Sequence, residues 1–238
     1  MKTFPLGDQA ILFQFDQRID PAVRAEVMRL QQRIQLADIP GVRYFIPAYC
    51  SLTVGYDPGL WTSEALEARI GALSAGEGAS EPEIRNRFWR IPVCYEPPYA
   101  WDREDLCRQT GLDWPEIVAL HTGAVYQVYM MGFLPGFAYL GILPEALACT
   151  RKAVPRASVP EGAVGLAGRQ TGIYPLASPG GWQIAGQCPV PVFSPQNENP
   201  FLLQPGDGVQ FFSISGEEYT EWKNQVQTGA FDSTLLYG

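Results

Sequence analysis

The chain has 238 residues and 46% hydrophobic content, enough apolar material for one large core or two small ones. Its 25 Asp and Glu against 17 Lys and Arg leave no basic footprint for a nucleic-acid backbone or an anionic membrane surface. No run approaches the roughly 18 apolar residues of a membrane span, and the opening Met1-Lys2-Thr3-Phe4-Pro5 carries no apolar signal region, so a cytoplasmic, soluble protein is expected.

Five cysteines (Cys50, Cys94, Cys107, Cys149 and Cys188) form no C-x-x-C pair, and their odd number suits reduced, buried thiols. His121 is the single histidine, so no zinc site of the common His-containing kinds can be assembled, and no metal is expected.

In chain order, Ala10 to Phe15 is an apolar run of strand length. Asp20-Pro21 then signals a helix start, and Val23, Val27, Leu30 and Ile34 share one helical face. Gly41 to Ile46 and Ser51 to Tyr56 are β-rich, and Thr62 caps a second helix carrying Leu66, Ile70 and Leu73. This order fits a ferredoxin-like βαββαβ unit. The stretch from Ala75 to Glu83 is small, acidic and helix-breaking, which places a domain boundary there, with residues 1–84 on one side and 85–238 on the other.

Phe88 to Tyr95 opens the second part as a strand. Asp102 and Asp113 both read as helix N-caps, the latter with Glu116 in capping-box position, and Gly111 and Gly123 close the two helices. From Ala124 onward, short apolar segments broken by Gly and Pro predict a β-barrel or sandwich, with the clearest strands at 163–167, 181–185, 191–193 and 208–213. No role is assigned to the acidic tail beyond Ser215, beyond packing or contact with a partner.

Chemistry is suggested between His121 and Gly186. Gly132 to Leu140 reads either as a rigid aromatic-walled loop or as a turn whose phenylalanines plug the barrel end. Arg151, Arg156 and Arg169 fall near Pro and Gly in predicted loops, where a guanidinium can grip a carboxylate or phosphoryl group or remain solvated. Gly168 to Pro175 and Ser178 to Trp182 mix donors with glycine-freed amides able to cradle an oxyanion, though barrel corners look the same. There is no P-loop, so any ATP use requires another design or another subunit, and Ser178 lacks a nucleophile elbow. His121 ends the Asp113 helix, where the C-terminal dipole would favour a cationic imidazole able to move protons, or a structural one.

These motifs carry a resemblance. His121-Thr122-Gly123-Ala124-Val125-Tyr126, Gly132 to Leu140, Pro155-Arg156, Val159-Pro160, Gln170 to Pro175, Ser178 to Trp182 and Pro205-Gly206-Asp207 resemble the allophanate hydrolase subunit 1 family, as do Pro5 to Ala10 and Ile46 to Tyr49. The resemblance implies an α+β chain: a small ferredoxin-like α/β domain followed by a cyclophilin-like β-barrel. It implies a B-type subunit of an ATP-dependent 5-oxoprolinase, in which an A-type subunit uses ATP to activate the lactam. The B-type and C-type subunits then open the ring to glutamate, with no cofactor bound by this chain alone.

His121 and Arg156 become the expected catalytic residues on that basis. Arg151, Gln170, Tyr174, Ser178, Gly180 and Trp182 become substrate-binding walls of a groove completed by the C-type partner. The same resemblance implies two alternative readings: an inhibitor of a histidine kinase, or a subunit of an allophanate or urea amide-processing enzyme. After the tryptophan the chain departs from the family's Ile-Gly-Arg-Thr-Pro, carrying Gln187 and Cys188 in place of Arg-Thr and losing a positive charge.

Overall fold

A computed structural model describes residues 1–75 and 87–238, which fall into two compact units. The linker and the 84/85 boundary expected from composition lie outside the described residues.

The first unit is a four-stranded antiparallel sheet, order β1-β2-β4-β3, with two helices. Its strands are β1 (Lys2–Leu6), β2 (Ala10–Gln14), β3 (Val42–Pro47) and β4 (Ser51–Tyr56), and its helices are α1 (Pro21–Leu36) and α2 (Ser63–Ala75). Asp20 caps α1 by accepting from the Ala22 amide, and Val23, Val27, Leu30 and Ile34 are buried as the periodicity predicts. Val27, Leu30 and Ile34 join Phe13, Leu52, Val54, Leu66 and Ile70 in a separate core. One feature differs from the expected βαββαβ order. The place beside β2 is taken by the N-terminal β1, which contains Pro5 and is mostly exposed, as an edge strand tolerates.

The second unit is built on a closed seven-stranded barrel, order β10-β7-β6-β13-β5-β12-β9. Its strands are β5 (Phe88–Cys94), β6 (Val125–Met131), β7 (Ala138–Gly141), β9 (Ala163–Ala167), β10 (Gln170–Ile173), β12 (Gln183–Gln187) and β13 (Gly208–Ile214). β5 and β13, from opposite ends of the unit, pair in parallel from Phe88–Gly208 to Cys94–Ile214. A short antiparallel pair, β8 (Arg156–Val159) with β11 (Ser178–Gly180), lies outside the barrel sheet. Trp89, Ile91, Val93, Tyr126, Val128, Leu140, Leu166 and Phe211 fill the core.

Helices α3 (Arg103–Thr110) and α4 (Trp114–Gly123) precede β6, and α5 (Gly216–Gln227) follows β13. Asp113 and Glu116 form the expected reciprocal capping box on α4, and Gly111 ends α3 at φ 73°. Three local expectations are corrected. The Asp102 side chain makes no cap bond to α3. Gly123 sits inside the last turn of α4, with Ala124 as the extended cap. Residues 191–193 form no strand, only a bridge from Phe193 to Phe201, because Pro189 and Pro191 supply no ladder donors. Of the cysteines, Cys94, Cys149 and Cys188 are buried and Cys50 and Cys107 half-buried, all as free thiols.

Candidate functional site

A pocket of about 250 Å3 opens where the Gly132–Leu140 loop meets the 151–155 and 174–182 segments. Phe137 is its floor, with ring centroids 4.9 Å from Tyr139, 5.3 Å from Tyr174 and 5.5 Å from Trp182, all in edge-to-face orientations. The loop's geometry depends on Gly136, at φ 83°, where a Cβ would sit 2.5 Å from Phe193, and on Phe133, held at φ 69° and exposed at the rim. Gly180 is required for a different reason: a Cβ there would meet the Tyr174 hydroxyl at 2.5 Å. The loop forms an aromatic wall, with Phe137 packed against Tyr174 and Trp182 and Phe133 exposed.

Arg151 supplies the pocket's charge. Its guanidinium stands 5.8 Å from the Trp182 ring centroid, and no carboxylate of the described residues pairs with it. Burial raises the Tyr174 phenol above its usual range, against a Trp182 backbone hydrogen bond and the Arg151 charge, which lower it. Burial likewise raises Tyr139, with Arg151 opposing. Both phenols therefore stay protonated at neutral pH, as neutral hydrogen-bonding groups beside a permanent cation. A planar, partly apolar ring bearing an anionic group matches this lining, which contains no histidine, carboxylate, cysteine or serine.

The carboxyltransferase domain model covering subdomains C and D matches residues 1–203. The chain belongs to that family. Among its relatives, the B-type 5-oxoprolinase subunit of Bacillus subtilis is 38% identical over 92% of this chain and 95% of its own. A solved structure of the protein TTHA0988 is 36% identical at TM-score 0.75, covering 87% of this chain but only 40% of that longer one. Kluyveromyces lactis urea carboxylase, at 18% identity and TM-score 0.78, shares the fold over 97% of this chain, which spans 23% of its length. The α+β plan with a barrel is thus the plan of other carboxyltransferase-domain chains.

Of the site residues expected from sequence, the carboxyltransferase-domain fold brings Arg151, Tyr174, Gly180 and Trp182 together in the pocket. It places four elsewhere. Gln170 pairs with Gly141 and Ala167 in the barrel wall, and the buried Ser178 hydroxyl bonds only the neighbouring Pro179 carbonyl, at 3.3 Å. Arg156 is engaged by Asp102 and donates to the Trp182 carbonyl at 3.4 Å. His121 is wholly buried, stacked on Phe211 at 4.8 Å, with Nδ1 2.7 Å from the Tyr95 hydroxyl and Nε2 3.0 Å from Thr171 Oγ1.

The expected cationic imidazole is therefore corrected: burial lowers His121 from 6.5 to about 3 and outweighs the helix end. Phe133, Phe137 and Tyr139 line the pocket without being singled out individually in the sequence, where their Gly-Pro-Gly-punctuated cluster is the available signal, and Asp102 is masked there by its resemblance to a cap. Among the described residues no group of three His, Cys, Asp or Glu is placed to hold a metal, and no helix is long and apolar enough to cross a membrane.

Proposed function

We propose that this chain is the B-type subunit of an ATP-dependent 5-oxoprolinase and that the Arg151 pocket receives the lactam, with the guanidinium on its carboxylate and the ring against Phe137 and Trp182. The observation that carries the reading is an arginine without a carboxylate partner among the described residues, held over a tryptophan face in an aromatic pocket of small-molecule size. The kinship with B-type 5-oxoprolinase subunits, at 38% identity over nearly the whole chain, supports the same substrate class.

Opening an amide ring needs an activated carbonyl and a proton donor for the departing nitrogen. The pocket lining holds neither a carboxylate nor an imidazole, so this chain recognises the substrate while its partners do the rest. An A-type subunit would activate the lactam with ATP, and a C-type subunit would complete the groove and supply acid and base. Phe133 in the rim is 59% exposed, and Val154, beside the pocket residue Pro155, is 79% exposed, which suits burial beneath such a partner. The complex would work in the cytoplasm, and Arg156 and His121 would support the fold around the site.

The test is ATP-dependent glutamate release from 5-oxoproline by this protein mixed with A-type and C-type subunits, each omitted in turn. Activity should vanish when this chain is left out. Undiminished turnover without it would end the assignment. In the active mixture, Arg151→Ala should raise KM roughly tenfold to a hundredfold with a smaller change in kcat, the loss of one charge-assisted contact of about 1.5–3 kcal/mol. An unchanged KM would remove Arg151 from substrate binding.

A further inference from the structure

Asp102 lies just before α3 and is almost completely buried, yet its side chain makes no cap bond to the helix. Its carboxylate accepts from Lys152 Nζ at 2.7 Å, from the Arg156 guanidinium, and from the Ile184 amide at 2.7 Å. Its own amide donates to the Ile184 carbonyl at 2.9 Å. Asp105, one turn on, adds a second contact to Lys152 at 2.8 Å, and Lys152 and Arg108 hold its carboxyl below the usual range.

What these partners have in common is their place in the chain. Lys152 directly follows Arg151 and Arg156 directly follows Pro155, the two residues of that segment that line the pocket, while Ile184 follows Trp182 by two residues. The same two segments are stitched by the Lys152 amide to the Gly181 carbonyl at 2.7 Å and by Arg156 to the Trp182 carbonyl. An ion cluster centred on a buried carboxylate contributes little net stability compared with apolar residues of the same volume, but it fixes register, since a misplaced partner leaves the buried charge unpaired.

We propose that Asp102 is a positioning residue: it locks the Arg151 segment to the Trp182 segment and so sets the separation of the cation and the aromatic wall between which an anionic ligand binds. The assignment rests on reading that pocket as a ligand site. Asp102 does not itself line the Arg151 pocket. It acts through Lys152, Arg156 and Ile184.

Fluorine NMR of the full-length protein labelled with 5-fluorotryptophan tests this, with Trp182 assigned by the loss of its signal in Trp182→Phe. In Asp102→Asn, which keeps the shape and removes the charge, the Trp182 resonance should shift while those of Trp61, Trp89 and Trp222 stay in place. Asp102→Glu should restore it in part. Arg156→Lys, which keeps the charge and removes the guanidinium fork, should move the same resonance and serves if Asp102→Asn does not fold.

Titration with 5-oxoproline should then show half-saturation roughly tenfold higher in Asp102→Asn than in the wild type, as expected when a charged contact is misaligned. A Trp182 resonance unmoved in both variants, or moved only together with all the others, overturns the positioning role. If 5-oxoproline leaves Trp182 unmoved in the wild type, the ligand assignment fails instead, and the resonance comparison still decides the role of Asp102.

Discussion

His121 shows how one side chain can be chemically conspicuous and still structural. It reaches from α4 to Tyr95, the residue after β5, and Thr171 on β10, which bond its two ring nitrogens from strands that are not neighbours. Its proton affinity is depressed to about 3 in the folded state by desolvation, whereas the unfolded chain binds a proton below about 6.5. Between those values the unfolded state holds the extra proton, so acidification from pH 6.5 toward 3 drains stability by up to about 1.4 kcal/mol per pH unit, and above 6.5 the contribution is complete.

Urea midpoints measured from pH 7 to pH 4 should therefore fall more steeply for the wild type than for His121→Gln, which keeps hydrogen-bonding capacity without titrating. Parallel curves would show that His121 is protonated in the folded protein. Arg151 and Arg156 make a related contrast. The sequence presents both as loop arginines beside proline or glycine, and only the carboxylate of Asp102, distant in the chain, engages one and leaves the other to the pocket.

At the scale of elements, local chemistry explains both what could be read and what was passed over. The Asp113–Glu116 capping box is a four-residue signal, and it forms as read. The same pattern at Ser215 and Glu218 starts α5, with the Glu218 amide on Ser215 Oγ at 3.2 Å and the Ser215 amide on the Glu218 carboxylate at 2.8 Å. The helix buries Tyr219 against Ile214 and Cys94, so the acidic tail has a packing role.

Ser215→Ala should cost about 1 kcal/mol, seen as a lower urea midpoint with earlier amide exchange in the first turn of α5. An unaltered midpoint would mean that Tyr219 packing alone holds the helix. Strand β1 was hidden by Pro5 and by its exposed faces, and β11 is a three-residue segment whose pairing with β8 is its only distinguishing feature. Neither carries a two-residue alternation long enough to stand out.

For the whole molecule, the two cores share no residues: one lies on the β1–β4 sheet and one inside the barrel. Leu52, fully buried in the first, should cost about 2–5 kcal/mol when cut to Ala. Hydrogen exchange should then show protection lost across β2 and β4 and kept in β5 and β13. Loss in both sets would mean that the units unfold as one.

Local sequence alone specified the helices α1, α2 and α4 with their N-terminal caps, the β-rich character of the second half, and the short list of loops from which a pocket could be made. Those depend on periodicity, turn residues and capping, all properties of neighbours in the chain. Tertiary structure alone decided that β5 and β13 close the barrel, that β1 takes the edge beside β2, that His121 is desolvated and neutral, and that Arg151 and not Arg156 faces the pocket. Burial and charge pairing depend on which distant segments meet, and a side chain's chemistry follows from that meeting.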